Sequence, residues 1–263
     1  MEVDLEKMCG KLSLTEQEEE VVVVDEESLD GALGRSEKCL LFKLFTDKQF
    51  NKEAFKSTMK RLWRPGKSIS IRDVSDNLFI AEFEDPWDKE HVFREGPWAF
   101  DKHSVLTNEV DGLQQAHQIT FPEELFWVRI HDLPIMARNW KMGHIVGKEV
   151  GSVVEVDLEK DALAWGEYLR IRVKLDVTKP LLRGKKVCVG SSNPFWVRFS
   201  YEPLPNFRYI CGTLGHNHKE CNQWRPLMEK FSVSEFPYGP WLRAGNFGDY
   251  RGPVHRELWC CVA

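Results

Sequence analysis

The stretch LFIAEFE at 78–84 constrains the fold more than any other, because its side chains alternate as only a strand can use them. Phe79, Ala81 and Phe83 fall on one face, and Leu78 and Ile80 on the other. The turn Ser75-Asp76-Asn77 ties it to a preceding strand at 68–74. Behind it, Asp85 is a suitable N-cap and Pro86 a suitable first residue for a helix through Arg94 or Glu95, which Gly96-Pro97 ends. Upstream, CLLFKLF at 39–45 reads as an apolar strand. Residues 51–63 then form a helix with Phe55, Met59 and Leu62 on its buried face, stopped by Pro65-Gly66. Residues 98–107 read as one closing strand.

The order β-α-β-β-α-β over residues 38–110 is the ferredoxin-like arrangement, also used by RNA-recognition sheets, and it predicts an α+β fold. Phe79 and Phe83 have two readings: base-stacking aromatics on an open sheet face, or core residues under the helices. The polar stretch DGLQQAHQIT at 111–120 reads as a linker. A second, smaller α+β unit is expected over 121–202. Its strands fall at 125–131, 152–157 and 167–176, with a hairpin from 186–189 and 195–201. A helix is expected over 140–149, although it contains Gly143 and Gly147, poor helix formers.

The second unit leads directly into Cys211-x4-His216-x4-Cys221, three ligand-type residues at the spacing of a C-x2-C-x4-H-x4-C zinc knuckle. The fourth ligand belongs three residues before Cys211, where Arg208 stands, and a guanidinium does not ligate zinc. The knuckle (203–226) is therefore degenerate. His218 is the one nearby substitute ligand, and a loop of this size is expected to fold on its metal rather than on a core. An irregular tail is expected over 227–263.

Charge is divided unevenly along the chain. Residues 1–36 hold eleven acidic and three basic residues, a net of −8 within a total of −5, so the remainder carries +3. The first segment reads as a disordered acidic arm, with Val21 to Val24 between acidic runs. Four valines are too few to span a bilayer, and no other stretch has the length, so no membrane partner is expected. Seven scattered cysteines point to a reducing, intracellular compartment.

A mildly basic body permits nucleic acid without requiring it. Arg170, Arg172 and Lys174 alternate along one strand and so share a face. Lys179, Arg183, Lys185 and Lys186 follow in the next connection, and with Arg208 the set reads either as a phosphate-binding surface or as a solvated strand face. Around the knuckle, Tyr209, Leu214 and Trp224 are candidates to stack on unpaired bases, Leu214 alternatively capping the loop. Trp98, Phe126, Trp127, Phe195 and Trp196 fit a base platform, an interdomain seam or a self-association surface.

The blocks FWVRIHDLPIMARNW, GSVVEVD, WGEYLRIRVKLDVTKPLLRG, FWVRFSYEPLPNFRYICGTLGHNHKEC and YGPWLRA form a series from Phe126 to Ala244, within a resemblance that covers about residues 38–245. In order and spacing it resembles a plant family of retrotransposon-derived proteins, in which a domain of unknown function precedes a Gag-like zinc knuckle. The resemblance implies binding of single-stranded RNA or DNA, and zinc held by the residues matching Cys211, His216 and Cys221. Arg208 departs from the family pattern at the first ligand.

An enzyme is not expected. The sequence holds no nucleophile elbow, phosphate-cradling glycine loop or paired metal-ligand helix motif. His131-Asp132 are neighbours on a strand, point to opposite faces, and make a poor catalytic couple; His131 reads as a strand-end surface residue.

Overall fold

The computed structural model describes residues 15–24, 34–46, 48–110, 114–191, 193–204, 207, 209–214 and 237–245. Short helix α1 (Glu16–Glu19) precedes the first sheet, which comprises β1 (Cys39–Leu44), β2 (Ile69–Ser75), β3 (Leu78–Phe83), β4 (Trp98–Phe100) and β5 (His103–Glu109). These strands lie antiparallel in the order β2-β3-β1-β5-β4. Helices α2 (Lys52–Trp63) and α3 (Pro86–Glu95) cover one face. Their starts follow the sequence: Asn51 accepts a hydrogen bond from the Ala54 N–H at 3.0 Å, and Asp85 one from the Trp87 N–H at 3.0 Å.

Phe79 and Phe83 are fully buried beneath these helices, which settles their role as core residues. Two expectations need correction. Leu62 is 42% exposed, and Trp63 takes its place in the stripe Phe55, Met59, Trp63, with its ring edge on Phe42 at 4.9 Å. Positions seven and eight along from Phe55 flank the same helical face, and the larger aromatic gains more from burial. The closing strand is in fact a hairpin: Asp101 and Lys102 adopt φ of 46° and 64°, and left-handed backbone at both central positions matches the twist of the flanking strands.

The second sheet comprises β6 (Glu123–His131), β7 (Ser152–Val156), β8 (Tyr168–Asp176), β9 (Gly184–Val187) and β10 (Phe195–Glu202), ordered β7-β8-β6-β10-β9. This is the order of the first sheet, strand for strand. The second unit thus repeats the first, but among the described residues it has a single α-helix, α4 (Trp140–Val150), between β6 and β7. Its two glycines permit a close approach. A Cβ at Gly143 would lie 2.8 Å from a Val156 methyl, and one at Gly147 2.6 Å from a Val153 methyl. What sequence propensity counts against the helix is therefore what seats it on the sheet.

Among the described residues no helix stands between β8 and β9. Its place is filled by irregular chain: Val177 and Leu181 before β9, then Leu204, Phe207, Leu214 and Leu242 after β10, all in the core of the second unit. The Tyr201 hydroxyl, buried among them, donates to the Leu182 carbonyl at 2.7 Å. Among the described residues no helix is long and apolar enough to cross a membrane.

Leu41, Leu78 and Leu106, on the face of the first sheet opposite its helices, belong to the same core as Phe126 and Val128. The first sheet is thereby covered on both faces. At this seam Glu124, 5% exposed, accepts from the Thr107 N–H at 3.0 Å, and Arg172 donates to the Gly96 carbonyl at 2.9 Å. Burial pushes the Glu124 carboxyl up to about 8.

A carboxyl whose folded pKa exceeds its unfolded one keeps its extra proton in the folded state, so its stabilisation fades as pH rises from 4.5 to 8. Burial pulls His131 down to about 4, which gives the opposite slope between 4 and 6.5. Between pH 6.5 and 8 only the Glu124 slope remains. Urea unfolding at several pH values in that window should show stability falling with pH, and Glu124→Gln, which keeps an oxygen for the Thr107 N–H, should flatten the fall.

Candidate nucleic-acid interface

Alternation along β6 sends Phe126, Val128 and Ile130 into the core and leaves Trp127, Arg129 and His131 on the face without helices. On the adjacent strand β8, Leu169, Ile171 and Val173 are buried, leaving Tyr168, Arg170, Arg172 and Lys174 on that same open face. Antiparallel register sets Trp127 opposite Arg172, Arg129 opposite Arg170 and His131 opposite Tyr168. The side chains interleave diagonally. Arg170 lies 3.9 Å and Arg172 5.4 Å from the Trp127 ring centre, Arg129 lies 4.4 Å from that of Tyr168, and the His131 ring follows at 5.6 Å. The result is a ladder of cations and rings across two central strands.

Glu202, at the end of β10, fixes the ladder by pairing with both Arg129 and Arg170, while Asp157 pairs with Arg170 at 3.1 Å. A cleft of about 590 Å³ opens over these groups. It offers aromatic rings, guanidinium planes and hydrogen-bonding carboxylates, groups on which unpaired bases stack and bond.

The rest of the predicted basic surface does not converge here. Arg172 shares the face but is 8% exposed and is used at the seam. Lys174 stands at its far end, beside a crevice with Thr107 and Glu124. Lys179 pairs with Asp176 at 2.9 Å in the turn after β8. Arg183 turns to the other side of the sheet, donating to the Pro237 carbonyl at 2.9 Å and lying 5.3 Å from the Tyr238 ring centre. Lys185 pairs with Glu149 of α4 at 2.6 Å, and Lys186 is exposed on the edge strand β9. The connection after β8 crosses the core side of the sheet to reach β9, burying Val177 and Leu181 and carrying Arg183 away from the open face.

Tyr209 packs on Phe207 with ring centres 5.2 Å apart, and Leu214 is 2% exposed, a core residue rather than a stacking platform. Of the aromatic set, Phe126 is fully buried, while Trp127 is half-buried in the cleft. Arg129, Tyr168 and Glu202 are the residues that sequence reasoning missed. The available signal was that both FWVRIH and YLRIRV alternate apolar with cationic or aromatic residues. His131 also differs from expectation: it is partly buried, with Nε2 2.8 Å from the Ser200 hydroxyl, while Asp132 pairs with Arg198 instead.

The first part of the knuckle is described, and it is held by packing. Phe207 bridges to Leu214, Gly212 adopts φ +72° with the Tyr238 ring directly over it, and the Leu181 N–H donates to the Gly212 carbonyl at 2.9 Å. This corrects the expectation of a loop folded by metal alone. Cys211 is buried, its sulfur 2.9 Å from the Thr213 hydroxyl. Arg208, His216, His218, Cys221 and Trp224 lie outside the described residues. Among the described residues no three His, Cys, Asp or Glu side chains are grouped to hold a metal. With Arg208 in the first position the knuckle pattern is one donor short, so this chain does not fit a closed structural zinc site.

Three solved structures show similarity. One is the C. elegans NONO-1 homodimer, at 11% identity over 79% of this chain and 71% of that one, with a TM-score of 0.24. Another is the first two RRM domains of yeast poly(U) binding protein Pub1, at 13% identity over 62% and 98%, with a TM-score of 0.21. The third is a Sxl-lethal protein/RNA complex, at 11% identity over 62% and 97%, with a TM-score of 0.23. No curated protein matches the sequence. Residues 33–110 match the family described as a domain of unknown function, DUF4283, and residues 175–223 match the zinc knuckle family of CCHC type. The chain thus carries a stretch matching DUF4283 and, further along, one matching a CCHC-type zinc knuckle, with arginine where the knuckle pattern has its first cysteine.

Proposed function

We propose that the protein is a non-catalytic, intracellular binder of single-stranded nucleic acid, RNA before DNA, descended from a retrotransposon Gag-like protein. The observation that carries this reading is the ladder Trp127, Arg170, Arg129, Tyr168 on a sheet face left open among the described residues. Rings and guanidinium planes on adjacent central strands stack bases of any identity, and the arginines reach phosphates, so sequence preference is low and salt dependence marked. The series of blocks shared with the retrotransposon-derived family supports the ancestry, and the CCHC match supports nucleic acid as the ligand. Zinc is not required for this mode of binding.

Fluorescence anisotropy of a labelled single-stranded RNA, titrated with the full chain at several salt concentrations, tests the reading. Trp127→Ala should weaken binding about 5- to 100-fold, the loss of one or more stacked bases. The urea midpoint controls for folding. A folded wild-type sample that binds nothing at low salt, or a Trp127→Ala variant that binds as wild type does, sinks the proposal. RNA incubated with magnesium or manganese should remain intact.

A further inference from the structure

A second surface lies far along the chain from the cleft. Thr15 and Glu18 close a capping box on α1, and Glu20 leaves the helix with extended backbone at φ −65° and ψ 118°. Val21, Val22, Val23 and Val24 follow, 81, 84, 82 and 60% exposed. Four successive β-branched residues favour a strand, yet among the described residues they pair with none. They are bracketed by Glu18, Glu19 and Glu20 on one side and Asp25, Glu26 and Glu27 on the other.

The second sheet ends on a strand that matches this segment. β9 is four residues long, is paired on one side to β10, and carries Lys185 and Lys186, both exposed. Lysines on an edge strand discourage neutral strands from adding there. A strand with acidic flanks is the exception, because each lysine then meets an opposite charge. Lys185 is held at present by a surface pair with Glu149, half exposed on both sides, which an arriving carboxylate can replace.

We propose that Val21–Val24 of one copy adds as an outer strand to β9 of a second copy, and that the exchange is reciprocal. Main-chain hydrogen bonds supply the attraction, and the acid–lysine match supplies register and partner choice. Two identical contacts related by a two-fold axis close the assembly as a dimer, and the second contact forms at the high effective concentration set by the first.

Light scattering coupled to gel filtration of the full chain, across micromolar to submillimolar concentrations, is the test. The wild type should pass from monomer to dimer, and Val22→Asp with Val23→Asp, which alters an exposed arm and no core residue, should stay monomeric. Lys185→Glu with Lys186→Glu should also stay monomeric, and adding Glu19→Lys and Glu20→Lys to that variant should restore the dimer. A wild type that is monomeric throughout, or a dimer that survives the valine changes, overturns the proposal. A charge swap that fails to restore the dimer overturns the assignment to β9. None of these outcomes depends on nucleic acid.

Discussion

Arg208→Cys should convert the chain from one that gives up zinc to a mild chelator into one that holds a single zinc ion per molecule through gel filtration. The change completes a C-x2-C-x4-H-x4-C ligand set from Cys211, His216 and Cys221. Complete knuckle-type sites bind zinc with apparent free energies of about 10 kcal/mol or more at neutral pH, so the expected gain is many orders of magnitude in affinity. The missing donor is the dominant defect because tetrahedral structural sites are closed by four protein ligands. Competition with a chromophoric chelator measures it. Equal zinc retention by wild type and variant would show that another residue already closes the site.

Glu202→Gln should raise affinity for single-stranded RNA about tenfold at low salt and steepen its salt dependence. In the folded protein this carboxylate, mostly buried, pairs with Arg129 and Arg170 and so occupies the position that a phosphate would take between them. Replacing it with an amide of the same shape frees Arg129 and leaves Arg170 only its surface pair with Asp157, which a phosphate can displace. Each new phosphate contact on a single strand adds about 0.7 to the slope of log affinity against log salt, so two add about 1.4. A variant that binds more weakly than wild type would mean that Glu202 positions the arginines rather than restraining them.

Most of the first unit was legible in the sequence because its signals are local. Asp85-Pro86 starts a helix by chemistry contained in three residues, and strand alternation separates Phe79 from Ile80 without reference to any distant group. The hairpin at Asp101-Lys102 was not legible, since aspartate tolerates left-handed backbone but Lys102 stands where such a turn usually has glycine. Gly143 and Gly147 weigh against a helix that is nonetheless formed: their value lies in contacts with Val156 and Val153, on a strand that the helix meets only after folding.

The site was half legible. Alternation placed Arg170 correctly, but Glu202 is joined to it only by the pairing of β6 with both β8 and β10, a relation between distant segments. The predicted basic stripe broke up because charge counted along a chain ignores which side of a sheet each turn delivers it to. Lys185 and Arg183, two residues apart, end beside Glu149 and Tyr238 respectively.

The replacement of a second helix by chain from the knuckle region changes what the knuckle is for. Phe207, Leu214 and Leu242 fill the core of the second unit, so this loop is a wall of the domain rather than a bead strung after it. Cutting the chain after Leu204 would open the sheet to water at Tyr201 and Leu181. Residues whose task is packing and residues whose task is ligation thus occupy one short loop with separate consequences of loss. Arginine can stand in the first ligand position while the wall still holds.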